Sequence, residues 1–191
     1  MTERLGILGG TFDPVHVAHL VAALEARYQL GLDRVLLVVA GDPWQKRAEV
    51  AASATDRYDM VAAAVDGLDG LEACALELER AGPTYTIDTV DALARADRHI
   101  VLIVGSDVAN RIHTWHRADD LRDRVELAVV TREGERIGAL AGWSLSRVTM
   151  PRLDVSSTDI RRRVACGAPV EFLVPAAAVR VLRERRLYTR R

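Results

Sequence analysis

Residues 5–19, Leu-Gly-Ile-Leu-Gly-Gly-Thr-Phe-Asp-Pro-Val-His-Val-Ala-His, constrain the fold more tightly than any other stretch of the chain. The apolar run Leu5–Leu8 predicts a buried strand, and the Gly9-Gly10 pair ends it. A Thr-Phe-Asp-Pro turn then leads into an amphipathic helix that begins near His16. Strand, glycine turn and helix start in direct succession form the layout in which α/β proteins hold phosphates. Glycines let backbone N–H groups approach an anion, and the helix N-terminus adds a favourable dipole. His16 and His19 stand at i, i+3 and share one face of the first helical turn. Two imidazoles beside a glycine turn suit a polyphosphate.

The rest of the chain alternates strand and helix patterns, which predicts a Rossmann-like, doubly wound, mainly parallel sheet with helices on both faces. Strands are expected at Val35–Val39, Leu71–Leu78, Ile100–Val104, Glu126–Thr131 and Arg147–Met150. Helices are expected at Val17–Leu30 (stopped by Gly31), Thr55–Val65 (capped by Thr55 or Asp56), Thr86–Arg95, Ser157–Ala165 and Pro175–Arg185. At 191 residues and 49% hydrophobic content the chain suits one domain. That domain covers 1–191, its C-terminal portion from about residue 155 being helical.

No apolar run approaches the roughly 20 residues of a membrane span, and Met-Thr-Glu-Arg leads straight into a strand, without a secretory signal. The two cysteines, Cys74 and Cys166, make neither a disulfide framework nor a metal cluster, and both read as small apolar residues within helix or strand. Cytoplasmic location is the expectation. A formal net charge of −1 argues against a chain built to coat nucleic acid. Arg180, Arg183, Arg185, Arg186, Arg190 and Arg191 then read as the solvated face and tail of the last helix. Of the 26 basic residues only Lys46 is a lysine, and it lies in a loop that follows a strand.

Chemistry in such folds gathers where strands end at their carboxyl edges, and the polar segments Gly9–His19, Ala40–Arg47, Gly82–Asp88, Gly105–Trp115 and Thr131–Gly134 all follow predicted strands. Gly105-Ser-Asp107 puts a carboxylate acceptor in one of these segments. Trp115 follows eight residues on, and the polar neighbours His113, His116 and Arg117 argue against its full burial. In Asp154-Val-Ser-Ser-Thr-Asp-Ile-Arg161, hydroxyls and amides open a helix with an arginine close behind. That arginine opposes the helix dipole, which makes sense if its partners are anions; taken alone, the same string is also an ordinary Ser/Thr cap. Catalytic triad, zinc cluster, paired-carboxylate site and Walker loop are all missing from the sequence.

Gly-Gly-Thr-Phe-Asp-Pro-x-His, together with Ser-Ser-Thr-x-Ile-Arg, resembles the nucleotidylyltransferase superfamily and, within it, the bacterial nicotinate mononucleotide adenylyltransferase family. One position departs: Ala18 stands where that superfamily's His-x-Gly-His has glycine, a place where a missing side chain lets the adenosine come close. The resemblance implies adenylyl transfer from ATP to nicotinate mononucleotide, giving deamido-NAD and pyrophosphate, with Mg²⁺ accompanying ATP and no protein metal cage. It implies His16, His19 and Arg161 as catalytic residues. ATP would be bound by Gly9, Gly10, Thr11, Phe12, Ala18, Gly105, Ser156, Ser157, Thr158, Ile160 and Arg161. The mononucleotide would meet Asp13, Lys46, Thr86, Asp107, Trp115 and Arg132. Neither nucleic acid nor membrane is an expected partner, and the oligomeric state is left open. Also open are another acceptor, nicotinamide mononucleotide or phosphopantetheine, and a nucleotide-binding module without turnover.

Overall fold

The computed structural model describes residues 2–43, 50–80, 82–131, 137–138 and 140–189. In chain order its elements are β1 (Glu3–Gly10), α1 (Val17–Leu30), β2 (Arg34–Val39), α2 (Ala54–Val65), β3 (Leu71–Cys74), α3 (Thr86–Leu93), β4 (Arg98–Gly105), α4 (Ser106–Ala109), a 3₁₀ turn (Ile112–Thr114), α5 (Ala118–Arg122), β5 (Glu126–Thr131), β6 (Leu145–Thr149), α6 (Ser157–Ala165) and α7 (Ala176–Glu184). The strands form one sheet in the order β3-β2-β1-β4-β5-β6, every neighbouring pair parallel. Strand order reverses between β1 and β4, and in open α/β sheets the crevice above such a switch point is where ligands bind.

Alternation along the strands builds two cores. Leu37 and Val39 of β2 join Val101 and Ile103 of β4 on one face, covered by Ala23 of α1, Met60 of α2, Ile160 of α6 and Leu182 of α7. Leu36 and Val38 point the other way with Leu102 and Val104, onto Ile87 of α3, Ala109 of α4 and Leu121 of α5. Strands buried on both faces need continuous apolar runs, and Val35–Val39 and Ile100–Val104 are such runs.

The expected helices at 17–30 and 157–165 and the strand at 126–131 are found with those bounds, and Gly31 stops α1 in a left-handed conformation (φ 59°). Three expectations are corrected. β3 ends at Cys74 rather than Leu78, because a turn closed by Leu78 N–H to Ala75 C=O packs against Gly41. The cap of α2 is Ser53, which accepts from Asp56 N–H and donates to the Asp56 carboxylate; neither Thr55 nor Asp56 is the cap. Cys166, expected inside an element, sits exposed at the end of α6. The short elements between Ser106 and Arg122 carried no periodic signal long enough to read. Among the described residues no helix is long and apolar enough to cross a membrane.

Candidate active site

The turn after β1 is held from below by groups the sequence did not single out. Arg57 of α2, 1% exposed, donates to the carbonyls of Thr11 (2.7 Å), Gly41 (3.2 Å) and Ala52 (3.4 Å). It thereby ties the loops after β1 and β2 to the start of α2. Burial pulls its pKa down, with the Asp13 carboxylate acting in opposition. Phe12, at φ 51°, turns its ring back over Gly10, where any Cβ would lie 2.8 Å from a ring carbon. A Cβ on Gly9 would meet no atom of the described residues within 4 Å. Packing therefore demands glycine at position 10 only, and the space over Gly9 is open to a ligand.

His16 caps α1 from an extended conformation, and its N–H donates to His19 Nδ1 at 3.2 Å. An accepting Nδ1 puts the His19 proton on Nε2, as a donor. The two imidazoles stack with centroids 3.7 Å apart, and Phe12 meets His19 edge to face at 5.0 Å. Burial pushes the His16 pKa down to about 4, so the ring is neutral at physiological pH. Among the described residues, His16 Nδ1 is buried with no hydrogen-bond partner. A buried polar atom without a partner costs roughly 1–3 kcal/mol, which the fold bears at this turn. Ala18 is half-buried and packs against the first core.

The start of α6 is stitched onto the same turn. Ser156 caps the helix by accepting from Asp159 N–H, and Ser157 Oγ donates to Pro14 C=O at 2.8 Å. Arg161 donates to Asp13 C=O at 2.8 Å and to Thr158 Oγ1 at 3.3 Å, leaving guanidinium N–H groups unspent. From the other side, Leu173 C=O accepts from Val17 N–H. His16 and His19 at the start of α1, and Thr158 and Arg161 at the start of α6, are thus gathered at the turn that follows β1.

A second group gathers beyond β4. A Cβ on Gly105 would lie 2.9 Å from Asp107 Oδ1, so its absence lets the largely exposed Asp107 fold back over the strand end. Tyr85 stacks on His116 at 4.3 Å, which draws the loop carrying Thr86 to the loop carrying Trp115. Trp115 is half-buried against the second core, neither free nor enclosed. Thr86 opens α3, with Asp88 in the first turn as an acidic neighbour. Thr84 bonds to Asp42 C=O through both its amide and its hydroxyl, and the buried Glu77 accepts from Thr89 Oγ1 at 2.7 Å, fixing that loop. Lys46 and Arg132 lie outside the described residues.

Three residues expected at the ligands have buried side chains. The Phe12 ring is buried as a strut, and Ile160 is wholly buried in the core. Asp13, 3% exposed, spends its carboxylate on Ala51 N–H, Ala52 N–H and the Tyr188 hydroxyl. Sequence reading missed Arg57 and Tyr188. Arg57 did leave a signal, since it shares a helix face with Met60, Val61 and Ala64; Tyr188 left none.

A family model described as cytidylyltransferase-like matches residues 7–163. The chain is 40% identical over 190 residues to a probable nicotinate-nucleotide adenylyltransferase of Saccharopolyspora erythraea, covering 97% of this chain and 90% of the relative. It is 43% identical over 195 residues to one of Bordetella petrii, covering 97% and 99%. Among solved structures, Plasmodium falciparum nicotinic acid mononucleotide adenylyltransferase complexed with NaAD superposes with a TM-score of 0.79 over 97% of each chain. Its identity of 16% makes that a likeness of fold.

Proposed function

The chain belongs to the cytidylyltransferase-like family and, within it, to the nicotinate-nucleotide adenylyltransferases, and we propose that it transfers the adenylyl group of ATP to nicotinate mononucleotide, giving nicotinate adenine dinucleotide and pyrophosphate. The observation that carries this reading is that one turn after β1 gathers the stacked His16 and His19 at the start of α1 and Arg161 of α6, which bonds to Asp13 C=O.

An oxygen of the mononucleotide phosphate attacks the α-phosphorus of ATP in line. The bond from that phosphorus to the bridging oxygen breaks, and pyrophosphate leaves. The attacking phosphate is already an anion at neutral pH, so the protein aligns it and neutralises charge, with no general base needed. His19 Nε2–H, the remaining N–H groups of Arg161 and the first amides of α6 stabilise charge on the transferring group and pyrophosphate. The His16 ring stacks, neutral, on His19, and the His16 backbone N–H sets the His19 tautomer. Asp107 takes the mononucleotide ribose, Trp115 stacks on the pyridine, and the first amides of α3 with Thr86 take its carboxylate. Lys46 and Arg132 are assigned to the mononucleotide phosphate on sequence grounds. Mg²⁺ enters as part of the substrate, held by ATP oxygens and water. No group of three His, Cys, Asp or Glu among the described residues forms a cage for it. Such chemistry suits a cytoplasmic enzyme.

The test is pyrophosphate release from MgATP with and without nicotinate mononucleotide. Release that depends on the mononucleotide supports the reading. ATP binding without release identifies a nucleotide-binding module instead.

A further inference from the structure

Resting on the adenylyl-transfer reading, we infer that Tyr188 is a positioning residue for the reaction, acting through Asp13 on Arg161. The Tyr188 hydroxyl donates to Asp13 Oδ1 at 2.6 Å, across 175 residues of sequence. Asp13 is the node at which four segments meet. Its Oδ2 takes Ala51 N–H at 2.7 Å, its Oδ1 takes Ala52 N–H at 3.1 Å, and its carbonyl takes Arg161 at 2.8 Å. The same Arg161 nitrogen lies 3.7 Å from Asp13 Oδ2, close enough to attract but not in the carboxylate's grip. Arg161 is therefore shared between a carbonyl that aims it and a carboxylate that would capture it.

Tyr188 decides that balance. Its hydroxyl occupies one carboxylate oxygen with a short bond, and burial keeps the phenol protonated as a donor across the physiological range. Without it, Oδ1 retains, among the described residues, only the longer bond from Ala52. A buried carboxylate short of a donor seeks the nearest cation, and here that is the guanidinium meant for the phosphates. Capture by Asp13 swings Arg161 down from the anion site.

Anchoring the chain end does not require this bond. Arg185 already joins α7 to Asp56 (2.7 Å) and Asp59 (2.6 Å) of α2. Leu187 N–H closes the helix onto Leu182 C=O. The Tyr188 ring, half-buried against the first core, keeps its packing when only the oxygen is removed.

The experiment is Tyr188→Phe in the full chain, alone and combined with Arg161→Ala, assayed by pyrophosphate release from MgATP and nicotinate mononucleotide. In the parent, Tyr188→Phe should lower kcat between about tenfold and a hundredfold with both KM values within about twofold. In the Arg161→Ala background it should cost less than about twofold, because the residue it acts through is gone. The same fold-loss in both backgrounds, or an unchanged kcat in the parent background, overturns the inference. An unmodified chain that releases no pyrophosphate overturns the adenylyl-transfer reading, and this inference with it. As a second variant, a chain ending at Leu187 retains Arg185 and its two partners and should lose at least as much turnover as Tyr188→Phe; full turnover there is equally contradictory.

Discussion

The stacked imidazoles of His16 and His19 play unequal parts, one ring buried and neutral, the other turned by its neighbour's amide to present a proton. Replacing His19 by alanine should lower kcat by ~10²–10³, the usual cost of losing one donor to a developing charge. The variant's melting temperature should stay near that of the parent. Near-normal turnover would remove His19 from the chemistry. His16 has a separate signature in stability. Its folded pKa of about 4 lies below the ordinary 6.5, so the folded chain resists a proton that the unfolded chain accepts. Above pH 6.5 the two states agree and the contribution is flat. Between 6.5 and about 4 stability falls as pH falls, with a slope of at most about 1.4 kcal/mol per pH unit. Urea unfolding at pH 7 and pH 5 should show this loss in the parent, and His16→Gln should lessen it. Both histidines were legible in the sequence because a glycine turn and a helix start fix their neighbourhood. The fates of Phe12, Asp13 and Ile160 were not, because a motif records that a residue type is needed and is silent on whether it faces ligand or core.

At the scale of elements, the site exists because helices are tied to loops by single side chains. Arg57 makes α2 the support of two strand-end loops, giving donors to three carbonyls. Arg57→Met keeps the stem volume and strands those carbonyls. It should destabilise the fold on the order of 3 kcal/mol, measured by denaturant midpoint, and lower turnover because the turn bearing the histidines loosens. A variant as stable as the parent would show that water satisfies the carbonyls and that Arg57 is dispensable. The long elements were legible because continuous apolar runs and helical periodicity extend over many residues. α4, α5 and the intervening 3₁₀ turn are too short to show a period, and β3 ends where it does because of a close approach to Gly41, a tertiary event.

For the molecule as a whole, strand order places the loops after β1 and β4 side by side, so the phosphate turn and the Asp107–Trp115 segment share one crevice. The alternation of elements predicts a parallel sheet with polar loops after its strands, but not which of those loops are neighbours. Nor was the Tyr188–Asp13 contact legible, since nothing local marks a bond spanning the chain. Acceptor choice belongs to this scale too, because Thr86, Asp107 and Trp115 come from separate loops that only the assembled sheet brings together. Asp88 in the first turn of α3 is an acidic neighbour that works against a carboxylate, so the preference rests on the amides and Thr86 outweighing it. The most direct test is side-by-side turnover of nicotinate and nicotinamide mononucleotides with MgATP, following pyrophosphate and the dinucleotide product. The account predicts kcat/KM at least about tenfold higher for nicotinate mononucleotide, roughly 1.4 kcal/mol. Equal values for the two acceptors, or a preference for the amide, would contradict it.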